Sequence, residues 1–175
     1  KQANKIIKKH YELYGYTSFA NSVKRLLNES TKHISKENKG EILTKEIEII
    51  KENYSNRLLI IDEVHNIRGD DLNLSKESTR DTIKYLTKVI QYSDNMKLIL
   101  LTANPMFNIS SEIIWMLNML LLNDKKQCIK EKIFDDDGYL TEEGEIIIET
   151  KCKGYISYLR GENPISFPIR LNPSH

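Results

Sequence analysis

Two uninterrupted apolar runs limit the folds that this chain can adopt. The first, residues 58–61, lies inside "RLLIIDEVHN", and the second lies inside "MKLILLTA" at 96–103. Short continuous apolar runs are typical of strands that are buried on both faces of a parallel sheet. An amphipathic helical pattern separates them, with a capping-box-like start at Ser78 and Asp81 and an end near Tyr92. Strand, helix and strand in this order predict an α/β domain with a mostly parallel sheet flanked by helices.

The rest of the chain is predicted to add mainly helices to this unit. The predicted elements are a short aromatic strand at 11–16, helices at about 18–30, 41–53 and 110–123, a polar loop at 29–40, and a helix that follows the turn at 135–145 and reaches about Leu159. Three of the four prolines lie in the tail, which predicts an extended connector at 161–175.

Composition narrows the class of protein only a little. With 26 Lys and Arg against 25 Asp and Glu, the net charge argues neither for nor against a nucleic-acid partner. Cys128 and Cys152 form no CxxC pair, and so few cysteines favour a reducing compartment over a disulfide scaffold. The longest apolar stretch, 113–122, is shorter than the ~20 residues that a membrane span needs. We therefore expect no membrane partner.

Two adjacent acids, Asp62 and Glu63, directly follow the first apolar run. In open α/β sheets, ligands bind outside the carboxyl ends of the strands. At that place an Asp can hold the Mg²⁺ that bridges phosphate oxygens, and a Glu can orient or deprotonate the attacking water in nucleoside triphosphate hydrolysis. The alternative is that the two acids only end the strand and cap the next segment of the chain, since short motifs have many chance matches.

His65 and Thr102 favour the hydrolytic interpretation. Thr102 ends the second apolar run, 40 residues after Asp62, with one helix between them. If the two strands are neighbours joined by that helix, His65 and Thr102 lie at the same edge of the sheet. Polar groups at the carboxyl ends of both runs therefore predict one shared site.

Four stretches of the chain resemble a known family of nucleic-acid motors. "IIDEVH" resembles the DExH motif of superfamily 2 helicases and translocases, and "LLTANPMFN" resembles their motif III. "YELYGYTSFAN" is similar to the region around motif Ib, and "KGYISYLRGENPISFPIRL" looks like the segment after the first RecA-like domain in helicases of large nucleocytoplasmic DNA viruses. These Swi/Snf-like viral proteins are similar to the small subunit of the poxvirus early transcription factor and to poxvirus nucleoside triphosphate phosphohydrolase I.

The resemblance implies a partial RecA-like domain of the P-loop NTPase type at 1–160, lacking the P-loop strand, and a connector toward a second domain at 161–175. It implies that Asp62 binds Mg²⁺ through water and that Glu63 activates the attacking water. It further implies that His65 and motif III couple the nucleotide state to movement. The motif III residues are Thr102, Ala103 and Asn104.

The resemblance also implies the ligands and partners. ATP and Mg²⁺ are the implied cofactors, and the implied track is nucleic acid, with DNA preferred over RNA. Tyr16 and Thr17 are implied to contact its phosphate backbone, although packing of these aromatic residues against the sheet is an equal alternative. The implied setting is viral, in the virion or a cytoplasmic virus factory, with the viral transcription machinery as a further partner.

Two departures from the family pattern leave other classes open. Asn104 stands where motif III usually has Thr, and no GxxxxGK[ST] pattern occurs in the 175 residues. We therefore expect this fragment by itself to be inactive toward ATP. One alternative is an AAA+ type ATPase in which Asn104 senses the γ-phosphate, and the other is a degenerate RecA-like binding module without activity. A helical lid with a sensor arginine after residue 125 favours the AAA+ class, whereas a second RecA-like domain favours the helicase.

Overall fold

The computed structural model describes residues 6, 9–67, 77–105, 110 and 112–158. Within these residues, two helices precede the first strand, one helix lies between the two short strands, and two helices follow the second strand. In chain order they are α1 (Tyr16–Thr31), α2 (Lys39–Tyr54), β1 (Leu58–Ile61), a 3₁₀ turn (Val64–Asn66), α3 (Glu77–Tyr92), β2 (Lys97–Leu100), α4 (Glu112–Asn123) and α5 (Glu142–Cys152). The predicted connector at 161–175 lies outside the described residues.

The two strands form a parallel sheet in which β1 pairs with β2. Leu58 lies opposite Lys97 and Ile61 lies opposite Leu100, so the strands are in register along their whole length. Helix α3 connects them, as a parallel crossover requires. The prediction of an α/β unit with a parallel sheet and flanking helices is confirmed, and this architecture is consistent with part of a RecA-like domain.

Helix α3 forms because its apolar residues recur on one face. Ile83, Leu86, Val89 and Ile90 are all buried, with Val89 and Ile90 fully inaccessible to solvent. Burying side chains of this size stabilises the fold by about 1.5–3 kcal/mol each. This face contacts α1, α2 and α4, so α3 is the central helix of the larger core cluster.

The two faces of the sheet differ in burial. Leu59 and Ile61 of β1, like Leu98 and Leu100 of β2, face the helices and join the larger core cluster. The opposite face is apolar but open to solvent, and its side chains are 42–56% exposed: Leu58, Ile60, Ile99 and Leu101. The expectation that both strands are buried on both faces was therefore wrong for the described residues, because the helices cover one face only.

The start of the chain differs from its prediction. Residues 11–15 form no strand, and Tyr16, which was assigned to that strand, is the first residue of α1. The aromatic side chains that suggested a strand have another use, since Tyr14 packs edge-on against Phe19 of α1. An ion pair between Glu12 and Arg57 holds the same segment beside β1.

Two helix boundaries also differ from their predictions. Helix α3 begins at Glu77, so Ser78 and Asp81 already lie inside it, and Asp81 forms an ion pair with Lys24 of α1 instead of a capping box. Helix α5 ends at Cys152, well before Leu159. Gly154 follows with a φ of 86°, a left-handed backbone conformation that ends a helix.

A second, smaller core cluster joins α4, α5 and the extended segment between them. Its buried members are Leu117, Leu121, Ile129, Ile133 and Cys152. The segment is fixed to α4 by Asn118, whose side chain donates to the Ile129 carbonyl and accepts from the Ile129 N–H. Among the described residues, no helix combines the length and the hydrophobicity that crossing a bilayer requires.

Candidate functional site

The acid pair lies where β1 ends and the chain turns sharply. Ile61 is buried, whereas Asp62 and Glu63 are exposed. Glu63 has a φ of 51° and a ψ of 45°, the left-handed region that non-glycine residues seldom adopt. Val64 then returns to the interior and is fully buried. The acids are therefore presented to solvent on a tight turn between two buried anchors.

Backbone hydrogen bonds tie this turn to the end of β2. The Leu101 N–H donates to the Ile61 carbonyl at 2.9 Å, and the Val64 N–H donates to the Leu101 carbonyl at 3.0 Å. The backbone hydrogen bonds between the two segments thus continue past the last residues of β1 and β2. As a result, the residues after β1 and those after β2 lie at one edge of the sheet.

His65 and Thr102 meet at this edge, as their positions predicted. Nδ1 of His65 lies 2.8 Å from Oγ1 of Thr102, and 3.3 Å from a carboxylate oxygen of Glu63. The backbone N–H of Asn104 also donates to the Thr102 hydroxyl, at 3.1 Å. Only 17% of the His65 side chain is exposed, so the contact is shielded from water. Ala103, between Thr102 and Asn104 in the chain, is exposed.

The two residues predicted to contact nucleic acid lie at the first turn of α1. The Tyr16 hydroxyl donates to the backbone carbonyls of Asp62 and Glu63, the latter at 3.0 Å. Thr17 is exposed and lines a shallow cleft between the first turns of α1 and α3. The other residues that line this cleft are Tyr16, Asn66, Ile67, Ser78, Thr79 and Thr82.

The contact of Tyr16 with the acid pair was missed from the sequence. No short-range pattern could reveal it, because Tyr16 and Asp62 are 46 positions apart. Burial raises the pKa of the Tyr16 hydroxyl, a hydrogen bond with the Asn66 side chain offsets part of this rise, and the nearby charges of Asp62 and Glu63 raise the pKa further. The hydroxyl therefore stays protonated at neutral pH and remains a donor.

The donor chemistry at this edge fits a magnesium ion. Mg²⁺ prefers oxygen ligands and is usually held by one or two carboxylates together with water and substrate phosphates. Asp62 and Glu63 supply two exposed carboxylates, and one Asp62 oxygen accepts from the Glu63 N–H at 3.1 Å. The part of the chain that the structure describes contains no cluster of three or more metal-binding side chains.

The chain is similar over nearly its whole length to proteins of large DNA viruses. It is 29% identical to a protein of Acanthamoeba polyphaga mimivirus named putative ATP-dependent RNA helicase, over 98% of this chain and 15% of that relative. It is 30% identical to another mimivirus protein of the same description, over 93% of this chain and 24% of that relative. A putative helicase of Frog virus 3 (isolate Goorha) is 25% identical over 94% of this chain and 15% of its own length.

The chain thus spans less than a quarter of the length of these relatives. No family model matches it, and no solved structure matches it. All three of these viral relatives are named as helicases, and two of the names include dependence on ATP.

Proposed function

We propose that this chain is part of the ATP-binding domain of a viral helicase or translocase of the DExH type. In this proposal, residues 1–160 form the later part of a first RecA-like domain, and 161–175 lead to a second one. The exposed apolar face of the sheet is then covered by the remainder of the domain in the full-length protein. This assignment agrees with the greater length of the similar viral proteins.

One observation carries the proposal: the His65–Thr102 hydrogen bond at the carboxyl ends of two parallel strands, directly beside the acid pair. Acids that merely ended a strand would need no such partner on the neighbouring strand. A link between the strand that holds the acids and the next strand can transmit a change at the nucleotide. We propose that it couples hydrolysis to movement on nucleic acid, with Asn104 steadying Thr102 through its N–H.

The two acids have different proposed roles. Asp62 would hold Mg²⁺, which when bound neutralises charge on the ATP phosphates. The Glu63 carboxylate would accept a proton from the attacking water and orient it toward the γ-phosphate. His65 lies within 3.3 Å of Glu63, so the same imidazole can contact both the proposed general base and Thr102.

The nucleic-acid partner is proposed to be DNA, with RNA as the alternative that the names of two relatives favour. Thr17 is the better candidate for a phosphate contact, because the Tyr16 hydroxyl is already engaged by the acid pair. Exposed hydroxyls at the first turn of a helix suit a phosphate backbone. We further propose a role in viral transcription, in the virion or the cytoplasmic virus factory.

The proposal is tested by Glu63→Gln in the full-length protein, assayed for ATP turnover and ATP binding. Removing a general base typically lowers kcat by about 10²–10⁴-fold, and the neutral amide should leave the affinity for ATP unchanged. The 175-residue chain, which has no P-loop pattern, should not hydrolyse ATP. Glu48→Gln is the matched control, because Glu48 is an exposed carboxylate on α2. Turnover that persists in Glu63→Gln removes Glu63 from the mechanism.

A further inference from the structure

Tyr16 bridges the two peptide groups that flank Glu63. The single proton of its hydroxyl is shared in a bifurcated hydrogen bond by the Asp62 carbonyl, which belongs to the peptide before Glu63, and the Glu63 carbonyl, which belongs to the peptide after it. The rotation of one peptide plane against the other is set by φ and ψ of Glu63. A single hydroxyl shared by both carbonyls therefore restrains both of these angles.

This restraint acts on a backbone that needs support. The left-handed conformation of Glu63 costs about 1–2 kcal/mol for a residue with a side chain. Such conformations persist where the surroundings over-determine them. The Asn66 N–H also donates to the Glu63 carbonyl, at 2.9 Å, so two donors hold that carbonyl in place.

Tyr16 is itself firmly placed. It is the first residue of α1, it is half-buried, and its ring packs against the larger core cluster. The hydroxyl thus reaches the turn from a helix whose apolar face is buried in the larger core cluster. The side chain of Tyr16 therefore links α1 to the backbone of the acid pair by hydrogen bonds.

We propose that Tyr16 is a positioning residue that holds the Glu63 carboxylate in the orientation from which it acts on the attacking water. The inference rests on the proposed hydrolytic role of Glu63. Hydrogen-bond partners that orient metal ligands typically contribute about 10–100-fold to metal affinity or activity, and we take this range as the scale for a group that orients a catalytic carboxylate. A loss of about tenfold in kcat is expected here, because the Asn66 N–H still supports the same turn.

The test compares Tyr16→Phe with Tyr14→Phe in the full-length protein. Phenylalanine keeps the packing of the ring and removes only the hydroxyl. Tyr14 is the matched control because its hydroxyl lies in the same segment and donates to exposed Glu12, away from the acid pair. Turnover is expressed per ATP-binding site, measured by titration with a fluorescent ATP analogue, so that unfolded molecules do not lower the apparent kcat.

We expect Tyr16→Phe to lower kcat about tenfold with the KM for ATP within about twofold of wild type, and Tyr14→Phe to match wild type. A wild-type kcat in Tyr16→Phe, or a change confined to KM, overturns the positioning role. Glu63→Gln, run in parallel, separates the two claims. If it is inactive while Tyr16→Phe is fully active, only the role of Tyr16 fails, whereas an active Glu63→Gln protein defeats the proposed function as well.

Discussion

Replacing Gly144 by alanine should destabilise the protein, although Gly144 lies inside a helix where alanine is normally preferred. A Cβ atom at Gly144 would lie 2.3 Å from the Ile133 carbonyl oxygen and 2.8 Å from the Ile133 Cβ. Ordinary contacts begin at 3.4 Å, so the two segments would have to separate by about 1 Å. Helix propensity alone predicts the opposite sign, a gain of about 1 kcal/mol.

The Ile133 carbonyl cannot move away freely. It accepts hydrogen bonds from the Thr141 N–H at 3.0 Å and from the Thr141 hydroxyl at 3.1 Å, and the same hydroxyl accepts from the Gly144 N–H. Ile133 itself is 2% exposed in the smaller core cluster. Overpacking costs about 1–3 kcal/mol, and two weakened hydrogen bonds cost about 1 kcal/mol each. After the gain in helix propensity, a net loss of about 2–4 kcal/mol is expected.

The assay is urea unfolding of the 175-residue chain, followed by the fluorescence of Trp115, its single tryptophan. Trp115 lies on α4, which contributes Leu117 and Leu121 to the affected cluster, and its own ring packs against the larger core cluster. Gly40→Ala is the matched control, since Gly40 also lies in the first turn of a helix and a Cβ there meets nothing within 4 Å. That variant should gain about 0.4–1 kcal/mol. A Gly144→Ala protein as stable as Gly40→Ala would refute the close approach of α5 to residue 133.

Two further predictions concern the site and the segment beside it. In the full-length protein, Thr102→Val removes the hydroxyl that contacts His65. The movement per ATP hydrolysed, measured by strand displacement, should fall about tenfold. Thr44→Val is the control, because Thr44 is exposed on α2 and its hydroxyl donates to the Gly40 carbonyl in its own helix. Arg57 holds the pKa of Glu12 below 4.5, so this carboxylate stabilises the fold above that pH and loses the effect as pH falls through the lowered pKa. The free energy of unfolding of the wild-type protein should exceed that of Glu12→Gln by up to about 1 kcal/mol at neutral pH, and the two should be equal near pH 2. The same difference in unfolding free energy at both pH values would contradict the ion pair between Glu12 and Arg57.

The spacing of apolar residues along the sequence identified most of the helices and strands. The four residues of β1 match their predicted bounds, and α3 ends at Tyr92 as predicted. The α3 prediction succeeded because burial of one helix face leaves a repeating apolar pattern along the chain, and β1 was found from its continuous apolar run although one of its faces is open to solvent. The segment at 11–16 was wrongly predicted as a strand because it is rich in aromatic residues. In the structure, Tyr14 of this segment packs against Phe19 of α1 and takes no part in strand pairing.

The candidate site was located from the sequence only in part. The position of Asp62 and Glu63 after an apolar run, and of Thr102 after the next, indicated a common edge, and the parallel register brings His65 to Thr102 there. The left-handed turn at Glu63 was not foreseeable, because glutamate has no preference for that conformation.

The sequence by itself determined the approximate positions of most helices and of both strands, and which polar residues come after each strand, because these properties depend on residues a few positions apart. Only the tertiary structure decided which face of the sheet stays open, that Gly144 must lack a side chain, and that the Tyr16 hydroxyl supports the acid pair. Each of these depends on segments that are distant in the chain and meet through packing. Their distances depend on how whole helices fit together, and no local pattern of residues records that fit.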